Sequence, residues 1–212
     1  VDASSNEKLK KVVYRLKKGF GRSTFRFYNV GLSPQFRFCL QYEICPVPDR
    51  ELERVKLSLS RRHLANNEIQ YLELNGDRLG RSEVEVLRRL QERWRRTDPD
   101  IVQVSSGNLL KLIRGKIEEH GLDFSLGRMN SFQKLAGENT VSSYGRTQHS
   151  ASRYNIPGRI LIDESNSFML GEATLEGLWD LVERSYRPMQ ELAWGSIGRI
   201  LTSIEVKKAY LE

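Results

Sequence analysis

The sequence is poor in the residues that build thiol and metal chemistry. Only two cysteines occur in 212 residues, Cys39 and Cys45. Their spacing is too wide for a Cys-x-x-Cys motif, and no second pair exists. They read as ordinary reduced thiols of a cytosolic protein. The three histidines, His63, His120 and His149, are scattered. They give neither a zinc-type spacing nor a nucleophile-histidine signature. No apolar run approaches the length of a membrane span, and no signal peptide opens the chain. The sequence therefore predicts no membrane partner and a cytoplasmic location. Internal repeats and low-complexity tracts are also missing. Val1 is not an initiator Met, and Leu211-Glu212 follows directly on a helical stretch. The reading is a fragment of a longer protein, with a cloning scar as one explanation of its end.

What remains is an ordinary globular composition, 39% hydrophobic and 29% charged. The length suits one large domain, or one domain with an appendage. Lys plus Arg number 34 against 27 for Asp plus Glu, a net charge of +7. That surplus favours polyanionic partners, nucleic acid first among them.

Residues 1 to 20 interleave Lys8, Lys10, Lys11, Lys17 and Lys18 with Leu9, Val12, Val13, Tyr14 and Leu16. This predicts a basic amphipathic helix, or the end of a preceding domain, with its lysines on a solvated face. An aromatic-rich segment runs from Phe25 to Asp49 and ends Cys45-Pro46-Val47-Pro48-Asp49, an extended linker. A domain boundary is placed there, at residue 50. Arg54 to Ser60 alternates apolar and polar, the pattern of a half-buried strand. Glu68 to Leu74 reads as a second strand, and Asn75-Gly76-Asp77 as a turn. Ser82 to Arg96 reads as a helix with a Ser82/Glu85 capping box and an apolar side of Val84, Leu87, Leu90 and Trp94. Ile101 to Val104 is a short buried strand, and Leu109 to Glu119 a helix left through His120-Gly121. Asp123 to Asn155 is polar and predicts loop with some edge strand. Gly158 to Asp163 reads as a strand, Thr174 to Ser185 as a helix, and Met189 to Tyr210 as the last helix. Trp94, Trp179 and Trp194 fall on helical patterns and are assigned to the core. The order of elements predicts a mixed α/β layered domain.

Several strings, in this order, resemble family B DNA polymerases, the archaeal ones in particular. They are Phe27-Tyr28-Asn29-Val30-Gly31-Leu32-Ser33-Pro34 with Arg37-Phe38-Cys39-Leu40; Asp98-Pro99-Asp100-Ile101-Val102; Leu126-Gly127-Arg128; Gly158-Arg159 with Asp163; Thr174-Leu175-Glu176; and Ser196-Ile197-Gly198-Arg199 with Lys208-Ala209-Tyr210. The resemblance spans almost the whole chain. It implies the tail of a polymerase N-terminal domain and linker over residues 1–50, then an RNase H-like 3′-5′ exonuclease-type domain over 51–212.

Such domains use two metal ions, held by converging carboxylates, to activate water against a terminal phosphodiester. Set against the family, all three carboxylate motifs are degenerate here. In the first, an Asp-x-Glu on a strand, Ser60 stands for the Asp and Arg62 for the Glu. Ser is a poor ligand, and Arg repels a divalent cation. In the second, Ser105-Ser106-Gly107-Asn108-Leu109-Leu110-Lys111 offers no carboxylate, with Leu110 or Lys111 nearest the expected Asp. In the third, a Tyr-x-x-x-Asp, Gln190 of Tyr186-Arg187-Pro188-Met189-Gln190 stands for the Asp; a rival alignment puts Gly177 there. The resemblance thus implies the fold without the activity.

The leading expectation is a domain that binds DNA, template, primer or single strand, beside the polymerase core and the other polymerase domains without cutting it, nucleoid-associated in the cytoplasm. No cofactor is expected in this domain; magnesium belongs to the polymerase core, which lies outside this chain. Arg61 and Arg62 are candidates to grip phosphate where metals sit in the family. Tyr144 and Arg146 are candidates to stack a base and meet its phosphate. Two alternatives stand beside this. One is an active metal-dependent 3′-5′ exonuclease with relocated carboxylates, drawn from Asp163, Glu164, Glu172 and Asp180. The other is a protein-interaction module.

Overall fold

The computed structural model describes residues 6–20, 32–59, 64–65, 68–136, 139–143, 146–150, 152–195 and 197–211. Its elements in chain order are α1 (Asn6–Phe20), α2 (Pro34–Gln41), β1 (Arg54–Ser58), β2 (Leu64–Ala65), β3 (Glu68–Ile69), β4 (Glu73–Leu74), β5 (Asp77–Arg78), α3 (Glu83–Thr97), β6 (Ile101–Val104), α4 (Gly107–Glu119), β7 (Gln133–Ala136), β8 (Asn139–Ser143), β9 (Arg146–Ser150), β10 (Arg153–Asn155), β11 (Ile160–Asp163), α5 (Phe168–Ser185), α6 (Met189–Leu192) and α7 (Ile197–Leu211). By contacts the chain forms two compact units. One comprises Val1–Val47, Trp179–Pro188 and Ile197–Glu212; the other comprises Pro48–Leu178 and Met189–Ser196.

The larger unit is mixed α/β. Its central sheet has the order β11-β6-β1-β4-β5. β6 runs parallel to both β1 and β11, while β4 is antiparallel to β1 and to β5. The β4–β5 connection is the predicted turn. Asn75 and Gly76 both have positive φ, 55° and 87°, as a two-residue hairpin requires. The period of two along β1 buries Val55 and Leu57 and exposes Arg54 and Lys56. β6 is buried throughout, as suits the strand between two parallel neighbours.

One face of this sheet carries the main core. Val55, Leu57, Leu74, Val102, Val104 and Leu161 pack against Val86, Leu87, Leu90 and Trp94 of α3 and Leu109, Leu110, Ile113 and Ile117 of α4. At roughly 25 cal/mol per Å² of apolar surface, such a layer is the main stabilising term of the unit. α3 begins after Ser82, but Ser82 makes no side-chain cap bond. Glu85 instead accepts from the Arg81 amide at 3.0 Å, so the predicted capping box does not form. Val84, expected inward, is exposed; the buried stripe is Val86, Leu87, Leu90 and Trp94. Trp94 is core, and Trp179 and Trp194 are half-buried.

Three other expectations change. The single strand foreseen from Glu68 to Leu74 is two short pieces: β3 pairs with β2 and β4 with β1. The polar stretch foreseen mainly as loop holds two antiparallel pairs, β8 with β9 and β7 with β10. The helix foreseen from Met189 is α6, one turn only, then a break before α7. Thr174 marks a break inside α5, with φ at 56°, a strained value for a β-branched residue.

In the smaller unit Ser33 caps α2 by accepting from the Phe36 amide at 3.1 Å, with Pro34 in the first turn. Leu32, Phe36 and Leu40 form its small core, with Tyr186 and Val206 packed on it. The Arg187 guanidinium lies 4.5 Å over Phe36, and Lys207 Nζ lies 3.7 Å over Tyr186.

Candidate functional site

In open sheets with parallel strands, ligands meet the carboxyl ends of those strands. Here these are the ends of β1, β6 and β11. Their register aligns Leu57, Val104 and Asp163, and one step earlier Lys56, Gln103 and Ile162. Alternation sends the two rows to opposite faces. Away from the main core lies a polar row. Arg54 donates to Gln103 Oε1, and Gln103 Nε2 donates to Glu164 Oε1 at 2.5 Å. Lys56 Nζ pairs with the same oxygen at 2.8 Å. Beside it, Ser58 Oγ donates to Glu73 Oε2 at 3.1 Å, and the Tyr71 hydroxyl donates to Glu73 Oε1. A lysine and hydrogen-bond donors hold these carboxylates, which is a poor arrangement for a divalent cation.

Asp163 and Glu164 are adjacent in sequence but do not converge. Asp163 is 2% exposed. Its carboxylate accepts from the Ser165 amide at 3.0 Å, the Ser165 hydroxyl at 2.6 Å and Asn166 Nδ2 at 2.7 Å. It also lies against the first turn of α4: a Cβ on Gly107 would sit 2.8 Å from Asp163 Oδ2. Only glycine admits that approach, and the carboxylate faces the positive end of the helix. Asp163 therefore fastens β11 to α4, while Glu164 joins the polar row on the other face.

The residues singled out from sequence fall as follows. Ser60, Arg61, Arg62 and Tyr144 lie outside the described residues, and of Arg146 only the backbone, in β9, is described. Lys111 is exposed on α4. Gln190 is committed elsewhere: its amide accepts from the Leu161 N–H and donates to the Leu161 carbonyl, both at 2.7 Å. It caps the outer edge of β11 as a neighbouring strand would, and holds α6 there. Asp180 is paired with Arg184 at 2.7 Å.

The opposite ends of the same strands carry a knot of arginines and aspartates that sequence reasoning did not foresee as one assembly. Arg50 binds Asp100 with two bonds, 2.8 and 2.9 Å. Arg128 reaches Asp100 Oδ1 at 2.9 Å, Asp98 at 3.1 Å and the Gly158 carbonyl at 3.2 Å. Arg159 reaches Asp98 at 2.8 Å, the Leu126 carbonyl at 2.8 Å and the Pro99 carbonyl. The Arg50 bonds, then those from Arg128 and the Glu53 amide, outweigh burial and hold the Asp100 carboxyl down to about 2. Arg128 and Arg159 likewise hold Asp98 below its usual range. Gly158 has φ of 88°, and a Cβ there would meet Arg128 Cβ at 2.6 Å. Three of the family-like strings, Asp98-Pro99-Asp100, Leu126-Gly127-Arg128 and Gly158-Arg159, are thus one fastening.

Among the described residues, the group with metal-ligand geometry is Glu83, Glu119 and His120, whose ligand atoms lie within 4.8 Å of one another. Lys116 Nζ sits among them, 3.2 Å from Glu83 and 3.0 Å from Glu119. Its ammonium supplies the charge a cation would. Burial pushes the Glu83 carboxyl up, but bonds from His120, the Ile69 amide and Lys116 leave it below its ordinary value.

No helix of the described residues is long and apolar enough to cross a membrane. No family model matches the chain, and no curated protein matches it. Among solved structures, the chain is similar to that of the family B DNA polymerase from the hyperthermophilic archaeon Pyrobaculum calidifontis. The TM-score is 0.58 at 13% identity, over 99% of this chain and 39% of that one. At that identity the likeness is one of fold, and this chain corresponds to well under half of the other's length.

Proposed function

We propose that this chain is an exonuclease-like part of a family B DNA polymerase that handles DNA beside the polymerase core without cutting it. On this reading residues 1–50 are the tail of the N-terminal domain with its linker, and 51–212 hold the RNase H-like domain, whose compact part is Pro48–Leu178 with Met189–Ser196. Support for the fold comes from the central sheet. Counted along its strands it runs 3-2-1-4-5, with the second strand antiparallel to the rest, the arrangement expected of an RNase H-like domain.

The observation that carries the absence of cutting is the commitment of the carboxylates. Asp163 and Glu164 point to opposite faces, Asp163 held by Ser165 and Asn166 and Glu164 by Lys56 and Gln103, and Gln190 is spent on the β11 edge. Two metals need several carboxylates on one side. The residue types at Ser60, Arg62 and Lys111 do not fit such ions either. Magnesium, on this reading, serves the polymerase core outside this chain. The partners are DNA and the other polymerase domains, in the cytoplasm on the nucleoid.

The test is a 3′-exonuclease assay on labelled single-stranded and primed DNA with magnesium, manganese or chelator, run beside a binding titration. Bound but undigested DNA in every lane is expected. Metal-dependent shortening, abolished by Asp163→Ala or Glu164→Ala, would show that the carboxylates do converge in action. Binding absent even at low salt would leave a protein-interaction role instead.

A further inference from the structure

The chain's positive charge is not spread over the fold. The larger unit holds 20 basic and 20 acidic residues, a formal charge of zero. The smaller holds 14 basic against 7 acidic, the whole surplus of +7. Five of those seven charges come from the sequence of α1, which has six cations, Lys8, Lys10, Lys11, Arg15, Lys17 and Lys18, and a single acid, Glu7. In the larger unit the cations that the candidate site offers are already matched, Lys56 by Glu164, and Arg128 and Arg159 by Asp98. A polyanion gains little from a neutral surface; it gains most where like charge is concentrated and exposed.

The exposed side of α1 is ordered by the helical repeat. Lys11, Tyr14, Arg15 and Lys18 recur at i, i+3, i+4 and i+7, and all four are exposed, Tyr14 at 65%. Val12, Val13 and Leu16 are half-buried on the remaining surface. Among its described side chains, the helix shows to solvent a cationic stripe with the Tyr14 ring in it, and Phe20, 62% exposed, at its end. A bilayer would be met by a continuous apolar face; a nucleic-acid strand is met by cations that follow its phosphates and a ring on which a base stacks. Lys11 and Lys18 are about 10 Å apart along the axis, on the order of three phosphates of one strand.

We infer that α1 is the nucleic-acid-binding element of this chain, taking the phosphate backbone of a single strand along Lys11, Arg15 and Lys18 with a base against Tyr14. This rests on the DNA-handling reading above and moves its affinity from the strand ends of the sheet to the N-terminal helix.

The test is fluorescence anisotropy of the whole chain with a labelled oligothymidylate across a salt series, with circular dichroism to verify folding. Arg15→Gln with Lys18→Gln is expected to weaken binding roughly tenfold and to flatten the slope of log K against log salt by about 1.4, two phosphates' worth. Arg89→Gln with Arg93→Gln, the same charge change on α3, is expected to stay within about twofold of the parent. Tyr14→Ala is expected to weaken the single strand more than a duplex. The proposal falls if the α1 variant binds like the parent while Arg61→Gln with Arg62→Gln loses the DNA; the DNA-handling reading then survives without it. If the parent itself does not bind at low salt, both fall. If the α1 variant keeps DNA but loses co-sedimentation with phosphatidylserine vesicles, α1 serves a membrane surface and the proposal is overturned.

Discussion

At the amino ends of β1, β6 and β11, Asp98 and Asp100 are gripped by Arg50, Arg128 and Arg159, with backbone carbonyls accepting further guanidinium bonds. At the carboxyl ends of the same strands, Glu164 meets Lys56 and Gln103 at a half-exposed surface, and Asp163 turns away toward α4. The first end is a fastening and the second is where chemistry would be expected. Three of the strings that resemble the polymerase family meet at the fastening end, whereas on the proposed reading the positions that would hold metal carry other residues. A likeness built on fasteners carries over a fold and leaves function to be argued from the site.

The largest effect that sharpens this contrast is expected from Arg159→Ala. The side chain is 5% exposed, lies 5.5 Å over the Trp94 ring and serves two carbonyls that would lose a charged donor. Urea denaturation should show a loss of about 3 kcal/mol; a loss below about 1 kcal/mol would mean that the knot is decorative.

A smaller effect is expected in acid. The Asp100 carboxyl is depressed, so its contribution is complete above the ordinary carboxylate value and disappears as pH falls through about 2. Between pH 5 and pH 2 the parent should lose roughly 2 kcal/mol more than Asp100→Asn. Parallel acid limbs for the two proteins would contradict this.

The smallest effect is expected at the other end. Lys56 and Glu164 have side chains 48% and 30% exposed. Lys56→Met should cost less than about 1 kcal/mol by the same denaturation measurement, and less still in high salt. A cost equal to that of Arg159→Ala would erase the distinction between the two ends.

Much of the layering was legible in the chain. The alternation of Arg54 to Ser58, the short run Ile101 to Val104 and the helical repeat of α3 and α4 each report burial locally, Val84 excepted. The β8–β9 pair was not legible, because Asn139–Ser143 and Arg146–Ser150 lack an apolar alternation; the pairing is made by backbone bonds that any polar sequence can supply. The turn of helix at α6 was read as part of a longer one, because periodicity continues across Ala193 to Gly195 while the backbone does not.

The candidate site divides in the same way. Residue type alone determined that Ser60, Arg62, Lys111 and Gln190 are not metal-binding carboxylates, since ligand chemistry belongs to the side chain and not to its surroundings. Sequence alone also determined the charge of α1. Only the tertiary structure decided that Asp163 and Glu164 face opposite sides of a sheet, that Gln190 closes the edge of β11, and that the basic surplus falls wholly in one unit. Those outcomes depend on strand register and on pairings between residues far apart along the chain, such as Arg50 with Asp100, which no local pattern encodes.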